Sequence, residues 1–302
     1  MKKIIFDGDP GIDDALAIIL ALQSEELELL GITTVAGNVD VDKGTKNALN
    51  LLEYLNRYIP VARGNEKPLY KELTSAEFIH GKDGLGNINF PTPKINEIPQ
   101  SAVEFLIKTI EKYPKDVTVV ATGPLTNIAE LLNIDPEILK NVNELVVMAG
   151  AIFVPGNVTP IAEYNVWADA EAAKIVLESD LPIILVPLDV TMSFYLSTKN
   201  FNKIKRANTP ISKLISRILP YYIDSNKKRG NLDGCYIHDA LAMAYTIDQT
   251  LLKTKKMGIE VLISKNEYGK TIPAESKLAI KVCLEVDSQK FLDLFLDRML
   301  KE

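Results

Sequence analysis

Asp7, Asp9, Asp13 and Asp14 stand within eight consecutive residues, between the apolar run Ile4-Ile5-Phe6 and the apolar stretch at 15–20. The string from Phe6 to Asp14 reads as the end of a short buried strand, a Pro-Gly turn and the start of a helix. Carboxylates crowded at a strand's carboxyl end repel one another strongly once a cleft removes them from water. A cation among them relieves that repulsion. Ligands that are all oxygen select a hard divalent ion, Ca²⁺ or Mg²⁺, over zinc. A solvated acidic turn, with Asp13 or Asp14 as the helix N-cap, accounts for one or two of the four acids and leaves the others without a reason.

A cluster of this kind needs a rigid frame. Short β-branched runs at residues 3–6, 28–35, 117–121, 144–148, 182–186 and 259–263 alternate with amphipathic patterns at 42–55, 102–112, 125–132 and 170–178. That alternation predicts βαβ units and an α/β fold with a mostly parallel sheet. Ligands of such sheets bind beyond the carboxyl ends of the strands. Gly37-Asn38, Thr122-Gly-Pro124 and the segment from Gly150 onward fall on that rim together with the aspartates.

Two stretches break the rhythm. Residues 63–100 are rich in Gly, Pro and Asn and carry His80 at the head of a glycine-rich run, as a functional lid would. Residues 196–239 are mostly helical by pattern and predict a helical flap over the sheet, ahead of the C-terminal strands. No internal repeat or compositional shift divides the chain, so residues 1–302 are expected to form a single domain.

Apolar residues make up 47% of the 302 and charged ones 25%, enough for a sizeable core. The net charge of −6 argues against a nucleic-acid partner, which needs a basic face, and suits a small neutral substrate. Two cysteines, Cys235 and Cys283, are too few for a disulfide framework and point to a reducing compartment. The apolar run at the N-terminus stops at Asp7, and no other reaches membrane-spanning length. A soluble, cytoplasmic protein with no membrane partner is expected.

The chain has two histidines, His80 and His238. His238-Asp239 opens an apolar helical pattern, and taken alone it is equally a core or surface histidine beside an N-cap. Asp-Gly-Asp-Pro-Gly-Ile-Asp-Asp at 7–14 is followed in order by Ala36-Gly-Asn38, Thr122-Gly-Pro-Leu-Thr-Asn127 and Val146-Val-Met-Ala-Gly150. Ala162-Glu-Tyr-Asn165 and His238-Asp239 complete the set. This ordered set resembles the nucleoside hydrolase family, the inosine-uridine-preferring nucleoside N-ribohydrolases, over almost the whole chain. The resemblance implies an open, Rossmann-like α/β sheet flanked by helices, with Ca²⁺ held at the strand ends. It also implies hydrolysis of a ribonucleoside to ribose and free base, by a homodimer or homotetramer. Carried over by motif position, Asp9, Asp14 and Asp239 correspond to carboxylate ligands, with Thr126 contributing its backbone carbonyl. Asp13, Asn38, Asn157, Glu163 and Asn165 correspond to residues on the ribose hydroxyls, and Met148 to one lining the sugar pocket. The stretch 221–234, with Tyr222 and Arg229, falls where base contacts are expected but admits no position-by-position match.

Cleavage of that bond passes through an oxocarbenium-like transition state, positive at the sugar and negative at the base. Asp9 is the candidate general base for water. His238 is the candidate donor to the leaving base, its ordinary pKa lying near neutrality, and His80 is a second candidate on the loop. Two rivals share parts of the pattern. A haloacid-dehalogenase-type phosphatase also places Asp-x-Asp after its first strand and uses Mg²⁺, but Asp13-Asp14 follow too soon here and Pro10-Gly11 fits a cation turn better. A non-enzymatic sugar- or nucleoside-binding protein with structural calcium would have no use for Asp9 and His238 as base and acid.

Overall fold

The computed structural model describes residues 1–230, 232–275 and 278–301. Its strands are β1 (Lys2–Gly8), β2 (Leu27–Thr34), β3 (Val61–Arg63), β4 (Val117–Ala121), β5 (Glu144–Val147) and β6 (Ile183–Leu185), then β7 (Leu196–Ser197) and β8 (Gly234–Cys235), and finally β9 (Leu252–Leu262), β10 (Lys270–Ala274) and β11 (Ile280–Val286). Nine of them form one sheet in the order β10-β9-β11-β6-β5-β4-β1-β2-β3, and β7 pairs with β8 in a separate ribbon. From β3 to β11 the neighbours run parallel, and only β9 runs against them. This is the open, mostly parallel α/β sheet expected.

The central strand β1 is buried on both faces: Ile4 and Phe6 enter one core and Ile5 the other. Burial on both sides is why these strands read as continuous apolar runs. The helix that follows, Ile12–Leu22, is apolar all round and buried along nearly its whole length, as a helix inside a core must be. It packs against the helix His238–Ile247. That contact brings the N-termini of two helices, far apart in sequence, to one end of β1.

The C-terminal part departs from the expected pattern. A single strand was read at 259–263; instead β9 starts at Leu252, and β10 and β11 pair on either side of it. Lys253, Lys255 and Lys256 are exposed there, and such a half-polar strand lacks the apolar run that marks the buried ones. The segment 63–100 is a long connection whose one described helix is Glu77–His80. The expected helical flap is present as Thr198–Ala207 and Pro210–Gly230. Among the described residues no helix is long and apolar enough to cross a membrane.

Candidate active site

A cavity of about 290 Å³ opens where β1, β4 and β5 end, and the second half of Pro210–Gly230 closes one wall through Tyr222, Asn226 and Arg229. Of the residues expected at a site, Asp13, Asn38, His80, Met148, Asn157, Glu163, Asn165, His238 and Asp239 all line it. Asp9 and Asp14 lie directly beneath, fully buried. Asn38 joins them: its backbone N–H donates to Asp9 Oδ2 at 2.6 Å and its side-chain amide to Asp14 Oδ2 at 3.1 Å. Two glycines permit the close approach. A Cβ on Gly37 would stand 2.0 Å from Asp9 Oδ2, and one on Gly11 would stand 2.6 Å from His80 Nδ1.

Local structure explains the acids one by one. Gly11, not Asp13 or Asp14, is the N-cap of Ile12–Leu22, and Asp14 at the third helical position reaches back to the Gly11 N–H at 3.0 Å. Asp14 Oδ1 also accepts from the Thr122 hydroxyl at 3.0 Å. Asp13 Oδ2 accepts from the Tyr222 hydroxyl at 3.2 Å. Asp239 is not a cap either, since Ile237 holds that position, so its carboxylate is free to join the others. Oxygens of Asp13, Asp14 and Asp239 lie within 4.8 Å of one another. Asp9 is not one of these three; its Oδ2 accepts from Asn38, and its Oδ1 has no hydrogen-bond partner, nor has Asp13 Oδ1. Asp7, read from the sequence as part of the cluster, is drawn away from it. In β1 it lies between Thr33 and Ala121, and its Oδ1 accepts from Thr33 and Asn127.

Burial, then mutual repulsion, pushes Asp9, Asp13 and Asp239 upward, Asp13 to about 7; burial raises Asp14 as well. Burial lowers His238 to about 4 and, helped by the neighbouring His238, His80 to about 3. Burial thus disfavours the charged form of both imidazoles, and His238 lines the cavity beside Asp239. His80 Nδ1 accepts the Ile12 N–H at 3.1 Å, and its ring stacks, tilted, on Tyr222. Tyr222 is thus committed to Asp13 and His80.

The polar wall is built by backbone. Glu163 caps the helix Tyr164–Ala168 and accepts from the N–H groups of Gly150, Asn165 and Val166. Asn165 donates to the carbonyls of Thr122 and Met148 at 2.7 and 3.0 Å. Asn157 Oδ1 accepts from the Tyr164 N–H, and its carbonyl receives the Arg229 guanidinium at the mouth.

Thr126 is the one expected residue the fold does not bring here. It begins the helix Thr126–Ile134, and its hydroxyl donates to Asp169 at 2.7 Å, away from the cavity. The motif holds two threonines, and it is the first, Thr122, at the end of β4, that lines the cavity and touches Asp14. Its signal was its position directly after a strand. Asn231, within the stretch expected to contact the base, lies outside the described residues.

Comparison with known proteins agrees with this architecture. The sequence profile described as inosine-uridine preferring nucleoside hydrolase matches residues 4–293. The chain belongs to this nucleoside hydrolase family, and its class of enzyme is the ribonucleoside N-ribohydrolases. It is 38% identical to a probable uridine nucleosidase 2 of Arabidopsis thaliana, over 99% of this chain and 98% of the relative. It is 36% identical to the pyrimidine-specific ribonucleoside hydrolase RihA of Citrobacter koseri, over 98% and 97%. The structure of a purine-preferring ribonucleoside hydrolase from Gardnerella vaginalis superposes with a TM-score of 0.96 at 35% identity, over 99% and 98% of the two chains.

Proposed function

We propose that this enzyme uses a Ca²⁺ ion in the aspartate cluster to hydrolyse uridine and inosine to ribose and the free base. The observation that carries the reading is the convergence of buried carboxylates, two of their oxygens unpartnered, at and beneath a cavity that two histidines also line. The donor set fits a hard ion: it is all oxygen, and no lysine lines the cavity among the described residues. Asp14 and Asp239 would hold the ion together with Asp9 and the Thr122 carbonyl, which keeps a second lone pair beside its bond to Asn165. When bound, the ion supplies the positive charge that offsets the repulsion, orients two vicinal ribose hydroxyls and makes a water more acidic.

The rest of the chemistry belongs to the side chains. Asp9 Oδ1 takes the proton of the attacking water, a role worth about 10²–10⁴-fold in rate. Asp13, through its free oxygen, and Asn157, Glu163 and Asn165 hold the sugar, while Asn38 sets the acids and Met148 supplies an apolar surface. The surrounding negative charge favours the developing sugar cation. His238 and His80 face the departing base as hydrogen-bond donors. A phosphorylated substrate fits poorly: Asp13, Glu163 and Asp239 would repel it. Arg229, the one Lys or Arg lining the cavity among the described residues, is bonded to Asn157 at its mouth.

The test is a panel of uridine, cytidine, inosine, adenosine and guanosine scored for reducing sugar, with nucleoside monophosphates scored for phosphate. Sugar from uridine and inosine is the expected result. Tight nucleoside binding with no sugar formed, or phosphate release alone, would defeat the proposal.

A further inference from the structure

We propose that Thr191 is a positioning residue that holds His238 in the Nε2–H tautomer, with the hydrogen turned to the cavity. The proposal rests on the reading of His238 as donor to the leaving base. The Thr191 hydroxyl lies 2.8 Å from His238 Nδ1. Thr191 ends the short helix Leu188–Thr191, is buried, and does not itself line the cavity.

Either atom of this pair can supply the hydrogen, with opposite consequences. If His238 donated from Nδ1, the Thr191 hydroxyl hydrogen would have no acceptor among the described residues, and Nε2 would offer the base a lone pair. If Thr191 donates, its one hydrogen is satisfied and Nε2, which has no protein partner among the described residues, carries the N–H into the cavity. A buried donor without an acceptor is disfavoured more than a hydroxyl oxygen with a spare lone pair, so the second arrangement prevails. His80 shows the same logic in a form that admits no choice: the Ile12 N–H can only donate, so His80 Nδ1 must accept and Nε2 must hold the hydrogen. Two side chains, held by a hydroxyl and by a backbone amide, thus present N–H groups to one cavity. From Nε2 of His238 the hydrogen bond stabilises the charge gathering on the base as its bond to the sugar carbon breaks. No net proton leaves the ring in that step.

The chain's two histidines make the tautomer directly readable by NMR of ¹⁵N-histidine-labelled protein, with His80→Asn for assignment. Wild type is expected to show His238 protonated at Nε2 alone. Thr191→Val should populate the Nδ1–H form and lower kcat on uridine about 10-fold or more, within the roughly 10²–10³ that loss of one positioned hydrogen-bond donor costs. KM and turnover of p-nitrophenyl riboside, whose leaving group needs no donor, should stay within about 3-fold of wild type on the same argument. Thr191→Ser should restore both spectrum and rate. A wild-type spectrum with Nδ1–H, or a Thr191→Val spectrum unchanged from wild type, overturns the proposal whatever the kinetics. If His238→Ala leaves uridine turnover unaffected, the donor reading fails instead, and the spectra still decide whether Thr191 sets the tautomer.

Discussion

Asp9 Oδ1 and Asp13 Oδ1 are buried carboxylate oxygens with nothing to accept from. Buried polar atoms are normally paired, and these two orphans, Asp13 at the cavity wall and Asp9 beneath it, are open to water, substrate or a cation; Asp7 Oδ2, outside the cluster, is also unpartnered. Asp9→Asn tests the more demanding role. The amide oxygen can still accept the Asn38 N–H, so the melting temperature of the metal-free protein should hold while kcat at saturating Ca²⁺ falls about 10²–10⁴-fold, the worth of a general base. Turnover near wild type would remove Asp9 from that role. Thr126→Ala probes the opposite case. Its hydroxyl is one of three donors to the Asp169 carboxylate, with the N–H groups of Leu69 and Ala172. Its loss should cost about 0.5–1.5 kcal/mol in urea unfolding, the net worth of a hydrogen bond, and leave uridine kinetics unchanged. A destabilisation much below this would show that the Thr126 hydroxyl is not what holds Asp169.

At the scale of elements, the site is made by two helix N-termini meeting at the end of β1. Ile12–Leu22 brings Asp13 and Asp14, His238–Ile247 brings His238 and Asp239, and their apolar flanks pack together. Helix N-termini carry partial positive charge, which eases but does not cancel the crowding of four acids. The C-terminal helix Ser288–Leu300 is tied to the end of His238–Ile247 by Asp248, whose carboxylate lies 2.7 Å from Lys290 Nζ and accepts from the Thr250 N–H. The Lys290 contact, with Thr250, lowers Asp248 to about 2. A depressed carboxylate pKa contributes stability above its unfolded value near 3.8 and loses it as pH falls toward 2. The pair is partly exposed, and solvent screens it, so Asp248→Asn should cost less than about 1 kcal/mol at pH 7. Urea midpoints of variant and wild type should draw closer at pH 3; a gap that widened in acid would contradict this sign.

For the whole molecule, the acidic pocket is a standing cost of the fold until a cation offsets it. Exhaustive EGTA treatment and dialysis should lower both the melting temperature and uridine turnover, and added Ca²⁺ should restore them together. Ligand at 100 times its Kd contributes about 2.7 kcal/mol, a shift that differential scanning calorimetry resolves. A metal-free protein that melts at the same temperature with and without Ca²⁺ would sink the calcium assignment.

The α/β sheet, the aspartate turn and the helical flap were legible in the residues, and the polar residues of the cavity in the motifs shared with the family. Their signals are local: apolar runs buried on two faces, a Pro-Gly turn, and short motifs set directly after strands. Other features depended on the way distant segments meet. Asp7 and Asp9 look alike in sequence, yet strand pairing gives Asp7 to Thr33 and Asn127. Thr122 and Thr126 share one motif, and only the start of a helix at Thr126 separates their fates. Burial, which no single residue announces, disfavours the charged form of both histidines. Residue type and spacing decide which chemistry a chain can carry. Enclosure by other segments decides the protonation of each group and the partner it meets, because desolvation and hydrogen bonding act only once the chain has folded.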